Sequence, residues 1–182
     1  MGQQAVGIAV HEAQRDDDGN PVWDAVIIDA PATGHGMFLL QIPSVVSASV
    51  GGGRMASEAH EIGALLRDPT RTALNLITLP EEMPVAETIE YRARLDAEIG
   101  IPLGYCVLNG FYPQRFSDDD ATTLREAQAS TSDSSLAGII HAGLFRYRRR
   151  SLQREYRDRI KAALPYGTVT VTAKSGGLNV PA

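Results

Sequence analysis

DAVIIDAPATGHGMFLLQIP (24–43) is the stretch on which the reading of this chain turns. With the preceding residues, VWDAVIIDA (22–30) forms a continuous apolar run rich in β-branched side chains. Such runs suit a strand buried on both faces, as in a parallel sheet. The strand ends at Asp29 and gives way to a loop with Pro31, Thr33, Gly34 and His35. Ligands of α/β proteins bind beyond the carboxyl ends of central strands. In phosphoryl-transfer proteins an aspartate there holds Mg²⁺, and a glycine beyond it lets backbone N–H groups approach a phosphate. The same pattern also suits a plain polar strand exit, with His35 as a surface loop histidine.

Working outward, ALNLITL (73–79), LGYCVLN (103–109) and GTVTVTA (167–173) are further strand candidates. Upstream, residues 3–14 suit a short helix of small apolar positions, and RDDDGNP (15–21) reads as a turn. Residues 54–67 suit a helix with Met55, Ala59, Ile62, Leu65 and Leu66 on its apolar face. Residues 82–99 suit another, with Met83, Ala86, Ile89, Ala93 and Ala97 inward. Glu81 and Glu82 lie at its amino end, where the helix dipole favours anions, and Pro84 is tolerated in the first turn. Gly100 and Pro102 stop it. Residues 118–163 are mostly helical, with a softer Ser/Thr-rich patch at 130–135. Alternation of strands and helices implies an α/β domain with right-handed crossovers.

Composition narrows the function. The 182 residues suffice for one domain with a core, and 43% are hydrophobic and 21% charged, ordinary values for a globular protein. A net charge of -5 argues against a protein that coats nucleic acid. A lone cysteine, Cys106, excludes an internal disulfide framework and a multi-cysteine metal site; it suits packing in a buried strand. There is no long apolar run and no basic-then-apolar leader, so the expected location is the cytoplasm.

VIIDAPATGH resembles the Asp-x-x-x-Thr-Gly-His switch signature of the ArsA family, which includes the arsenite-pump ATPase and the ATPases that target tail-anchored membrane proteins. Three further segments resemble that family in its own order. ITLPEEMPVAETIEYRARLDAEIGIP (77–102) is similar to its strand–Pro–Glu–helix segment, YCVLNGFYP (105–113) to the strand ending in a base-contacting asparagine, and QREYRDRIKAALPYGTVTVT (153–172) to its last helix and strand. The likeness spans residues 1–175.

The resemblance implies a three-layer, P-loop NTPase-like α/β fold of the SIMIBI type with a mostly parallel sheet, incomplete at its amino end. Residues 1–182 would form one partial ATPase domain, with a switch region at 24–43, a base-binding region at 103–113 and a final helix and strand at 134–173. The implied activity is Mg²⁺-dependent ATP hydrolysis, with ATP and Mg²⁺ as cofactors, coupled to opening and closing of a dimer. Anion transport or protein targeting would be the output. Asp29 would order the water shell of Mg²⁺, and Thr33, Gly34 and His35 would form the switch loop near the terminal phosphate. Asn109 would hydrogen-bond adenine, for which its amide offers a donor and an acceptor. Thr172 and Ala173 would lead into the loop over the base. Glu81 would lie near the subunit interface of a homodimer or of a heterodimer with a related ATPase. A membrane-protein client fits the family and nucleic acid does not.

The departures matter equally. No glycine-rich, lysine-containing P-loop occurs in the 182 residues; AKSGG (173–177) comes too late and lacks the upstream glycine. The family's arsenite-binding cysteines and its zinc-pairing Cys-x-x-Cys are absent. Residues 44–72 leave little room for a large client-binding insertion. Without the P-loop strand beside it, 22–29 is expected to lose a neighbour and expose Val26, Ile27 or Ile28, unless residues 3–14 cover the gap.

Other features carry plainer readings. His11, His60 and His141 are scattered, and Glu58 with His60 is no metal site. GGGR (51–54) follows no strand and suits a flexible loop better than a phosphate cradle. RYRRRSLQREYRDR (146–159) holds seven arginines interleaved with Tyr147 and Tyr156, but Glu155 and Asp158 favour a salt-bridged helix face over nucleic-acid binding. The rival to an ATPase portion is a non-catalytic subunit that binds a partner, such as an intact ATPase.

Overall fold

The computed structural model describes residues 6–10, 16–19, 22–31, 33–164 and 167–173. Five strands form one sheet: β1 (Val6–Val10), β2 (Val26–Ala30), β3 (Thr72–Thr78), β4 (Leu103–Phe111) and β5 (Thr168–Thr172), in the order β2-β1-β3-β4-β5. β3, β4 and β5 pair in parallel, while β1 runs antiparallel to both β2 and β3. Four strands therefore point one way, and β1 alone is reversed. The helices are α1 (Thr33–Ser49), α2 (Arg54–Arg67), α3 (Glu82–Glu98), α4 (Asp118–Ser130) and α5 (Ser134–Ala163). None is long and apolar enough to cross a membrane among the described residues.

The core lies on one face of the sheet. Leu74 and Leu76 of β3 and Cys106 and Leu108 of β4 meet Met37 and Leu40 of α1, Val85 and Leu95 of α3, and Ile160 of α5 in one cluster. Period-2 alternation on β3 explains the choice: Thr72, Leu74, Leu76 and Thr78 are buried, and the residues between them only half so. The opposite face carries Ile27, Tyr105 and Val169 exposed, with half-buried Ile77 and Val107 paired in register with Val169. The expected third layer is thus missing among the described residues, whose helices cover one face.

Two expectations for the amino end need correction. Val6–Val10 is a strand rather than part of a helix; the rest of 3–14 lies outside the described residues. Its place is set by distant partners, Val26–Ala30 on one side and Thr72–Leu76 on the other. β1 therefore fills the gap beside β2, as the covering alternative required. β2 is not buried on both faces: it is an edge strand, with Ile27 81% exposed and Ile28 42% exposed. The turn holds where it is described, with Gly19 at φ 82° donating to Asp16 O at 3.0 Å.

Helix boundaries follow their punctuation. Ser117 caps α4 in a reciprocal box with Asp120, and Asp133 caps α5 by accepting from Ser135 and Leu136. Gly100, at φ 72°, closes α3 by donating to Leu95 O at 2.9 Å. The inward faces differ from expectation. α3 buries Val85, Thr88, Tyr91 and Leu95 and leaves Met83 exposed, because those larger side chains remove more apolar surface from water than the alanine stripe could. α2 buries Ala59 and Gly63 and exposes Met55 and Ile62, since small residues let it approach α1 closely at Pro43.

Cys106 is buried, and burial pushes its thiol up to about 11. The unfolded thiol ionises near ~8.5. Its share of stability is complete below that pH and is lost as pH rises through about 11. Urea midpoints of the native chain should fall faster than those of Cys106→Ala between these limits. Parallel curves for the two proteins would refute the burial argument.

Candidate functional site

Asp29 is the penultimate residue of β2, its side chain exposed and without a hydrogen bond or ion pair among the described residues. Glu81 follows β3 by three residues and precedes α3. Asn109 lies near the end of β4, half-buried. Thr172 ends β5 in register with Phe111, and Ala173 donates to Phe111 O at 2.8 Å. Because β2, β3, β4 and β5 run in one direction, all these residues collect along one edge of the sheet. Asp29 and Asn109 stand three strands apart, roughly 14 Å across the sheet, and Asn109 lies roughly 13 Å further along the strand direction, because Asp29 is level with Gly7, Asn75 and the Tyr105–Cys106 part of β4.

Thr33, Gly34 and His35 differ from the loop expected of them. They form the first turn of α1, with Gly34 and His35 exposed. The connection from β2 is therefore brief, and α1 starts four residues after Asp29; a helix start leaves N–H groups without intrahelical partners. Gly36 explains part of this geometry: a Cβ there would meet Pro31 O at 3.0 Å and the Tyr91 hydroxyl at 3.1 Å. Tyr91 is buried on α3, its hydroxyl has no hydrogen-bond partner among the described residues, and desolvation raises its pKa. This contact between α3 and the segment after Asp29 was not legible in the sequence, since Gly36 and Tyr91 are far apart in the chain and neither stands out within its segment.

Glu81 makes an ion pair within the chain, 3.8 Å from Arg149 of α5. The arginine run divides. Arg154 lies 3.5 Å from Asp118, Arg157 2.8 Å from Asp158, and Arg150 stacks over the Phe111 ring at 3.9 Å. The salt-bridged reading thus describes part of that face. Gln153, which no motif marked, fastens α5 to the end of β4: its Oε1 accepts from Tyr112 N–H at 2.7 Å, and its Nε2 donates to Gly110 O at 3.3 Å.

No protein-family model matches the chain. Over 124 residues it is 33% identical to the ATPase BagA of Mycobacterium tuberculosis, a match covering 68% of this chain and 36% of that protein. It is 32% identical over 114 residues to an arsenical pump-driving ATPase of Acidiphilium multivorum, covering 54% of this chain and 19% of that one. The chain is related to the ArsA-type ATPases. A protein of the same description from Escherichia coli adds 33% identity over 86 residues, covering 46% of this chain and 15% of its own length. The matched part is thus about a third of the mycobacterial ATPase and under a fifth of the arsenical pump-driving ones.

Proposed function

We propose that this chain supplies the metal-side and base-side walls of an ATP site in an ArsA-type ATPase, and that a P-loop from a separate segment completes it. The observation that carries the reading is the alignment of Asp29, Asn109 and Thr172–Ala173 at the carboxyl ends of like-directed strands. In open α/β sheets that edge is where ligands bind. The span from Asp29 to Asn109 is roughly 19 Å on the diagonal, so the metal with its water shell, and not the nucleotide alone, would have to fill the Asp29 end.

In this reading Asp29 takes the Mg²⁺ side. Among the described residues its carboxylate has no protein partner, which leaves it open to an outer-sphere role, and no group of three or more metal-ligating side chains occurs there. Such an arrangement suits an ion held largely by water and phosphate oxygens. The ion supplies charge neutralisation on the phosphates during transfer. The α1 amino end, at Thr33 to His35, directs backbone N–H groups toward the same place, where anions are favoured. Asn109 reads the base, and the segment after Thr172 covers it. With β1 already between β2 and β3, a P-loop strand would join at the open edge of β2, and its helix would give the bare sheet face a second helical layer, as a SIMIBI-type arrangement needs. Glu81 sits where a dimer partner could exchange for Arg149, which ties dimer opening to the nucleotide edge; anion transport or protein targeting would be the coupled work.

The base contact gives the test. In a chain completed by a P-loop-bearing amino-terminal segment, Asn109→Ala should weaken ATP by roughly three- to tenfold, the worth of one or two hydrogen bonds. GTP binding should change much less. Equal losses for both nucleotides would show that Asn109 does not read the base. A completed protein that binds neither nucleotide would favour the non-catalytic, partner-binding reading.

A further inference from the structure

Just beyond the carboxyl end of β4, the β4–α4 connection and the first half of α5 enclose a cavity of about 550 Å³. Small-molecule sites commonly measure ~300–1,000 Å³. Helical spacing builds its α5 wall: His141, Phe145 and Arg149 recur at i, i+4 and i+8, and Ala142, Arg146 and Arg150 form the adjoining row. The opposite wall is Tyr112, Pro113, Arg115 and Phe116. Gln153 holds the two walls in register through Tyr112 N–H and Gly110 O, and Phe116 packs against Gly143, where an added Cβ would lie 3.4 Å from its ring.

The lining is unusual in its charge. Four arginines face the cavity, yet only Arg149 has a carboxylate, Glu81 at 3.8 Å. Arg115, Arg146 and Arg150 have no ion pair among the described residues, the neighbouring Asp118 being engaged by Arg154 and the Tyr147 hydroxyl. Arg150 is the most constrained: its Nε and Nη1 are buried without a hydrogen-bond acceptor among the described residues. Desolvation, then repulsion from Arg157 and Arg154, lowers its pKa. Buried polar groups normally find partners, so unfilled donors beside a cavity point to an acceptor that the protein itself does not provide. The rings narrow the choice. Arg149 lies over the Tyr112 ring at 5.4 Å and over the Phe145 ring at 5.9 Å, so aromatic rings and guanidinium groups share the lining.

We propose that this cavity binds a small planar organic anion, an aromatic carboxylate in its simplest form, whose ring enters between the aromatic side chains and whose carboxylate meets the unpaired arginines. None of Asp29, Asn109, Thr172 and Ala173 lines it, although it shares the end of the 103–113 segment through Tyr112 and Pro113. Guanidinium forks suit carboxylates because two N–H donors can meet both oxygens at once.

Titration calorimetry of the full chain with 2-naphthoate tests this, with 2-naphthamide and inorganic phosphate as comparisons. Naphthoate should bind at least about tenfold more tightly than either, since a charge-assisted bond exceeds a neutral one and phosphate lacks a ring. The double substitution Arg115→Gln, Arg146→Gln removes two exposed, unpaired side chains and should leave the fold intact. It should weaken naphthoate by about tenfold or more and leave the amide unchanged. Amide shifts on binding should fall in 112–116 and 141–150. Equal binding of acid and amide, phosphate binding as tight as naphthoate, no effect of the double substitution, shifts at the sheet face of Ile27 and Tyr105, or no naphthoate binding would each overturn the proposal.

Discussion

Asp29→Asn should lower the ATP turnover of the completed protein by about 10²–10³-fold while leaving ATP affinity nearly unchanged. The magnitude is that of removing one preorganised electrostatic group from a transfer site. Asparagine keeps the shape and loses the charge that would orient the water shell of the metal. The substitution is structurally mild, because Asp29 is exposed on an edge strand and its carboxylate bonds to nothing among the described residues. Folding should therefore be unaltered, and any loss of turnover belongs to chemistry. The 182-residue chain alone has no P-loop lysine and should show no turnover that Asp29 controls. Phosphate release measured with Mg²⁺ on both proteins checks this; an Asp29→Asn protein that keeps a tenth or more of its turnover contradicts the role.

Phe111→Ala should cost about 3–5 kcal/mol of stability. Phe111 is 1% exposed at the end of β4, and it is the ring over which the Arg150 guanidinium lies at 3.9 Å. Truncation removes the apolar contact, and it also leaves the buried Arg150 nitrogens without their one cation–π partner. The backbone bond from Ala173 N–H to Phe111 O survives, so β5 has no independent reason to detach. Phe111→Leu keeps most of the volume and should lose less than about 1.5 kcal/mol. Urea unfolding of the three proteins gives the numbers; a loss below about 1 kcal/mol for Phe111→Ala would show that Arg150 and the ring are not part of the packed interior.

Much of this fold can be read where local chemistry sets the boundary. β3, β4 and β5 lie within a residue or two of their apolar runs, and α2, α3 and the break between α4 and α5 fall at Gly53, Gly100 and Asp133. What is not legible depends on distant partners. β1 is a strand because β2 and β3 offer it two ladders, and nothing in VGIAV (6–10) reveals that. α1 hides behind Gly34, Gly36 and Pro43, each a poor helix former, and persists because Met37 and Leu40 reach the core. The faces of α2 and α3 are decided by close approach and by the larger side chains, which helical periodicity alone does not rank. For the site, Asp29, Asn109 and Thr172 stand out as residues at strand ends, whereas the arginine–aromatic cavity is invisible until the loop at 112–116 is laid against α5.

Photolabelling of the completed protein with 8-azido-ATP and Mg²⁺ addresses the nucleotide site most directly. The azide sits on the base, so the label reports where adenine lies irrespective of turnover. Mass spectrometry of the digested protein should find it on peptides holding Asn109–Pro113 or Thr172–Ala173, with labelling suppressed by excess ATP and reduced in Asn109→Ala. Label confined to other peptides, or ATP-protected label of equal yield in Asn109→Ala, would contradict the assignment of this sheet edge to the base.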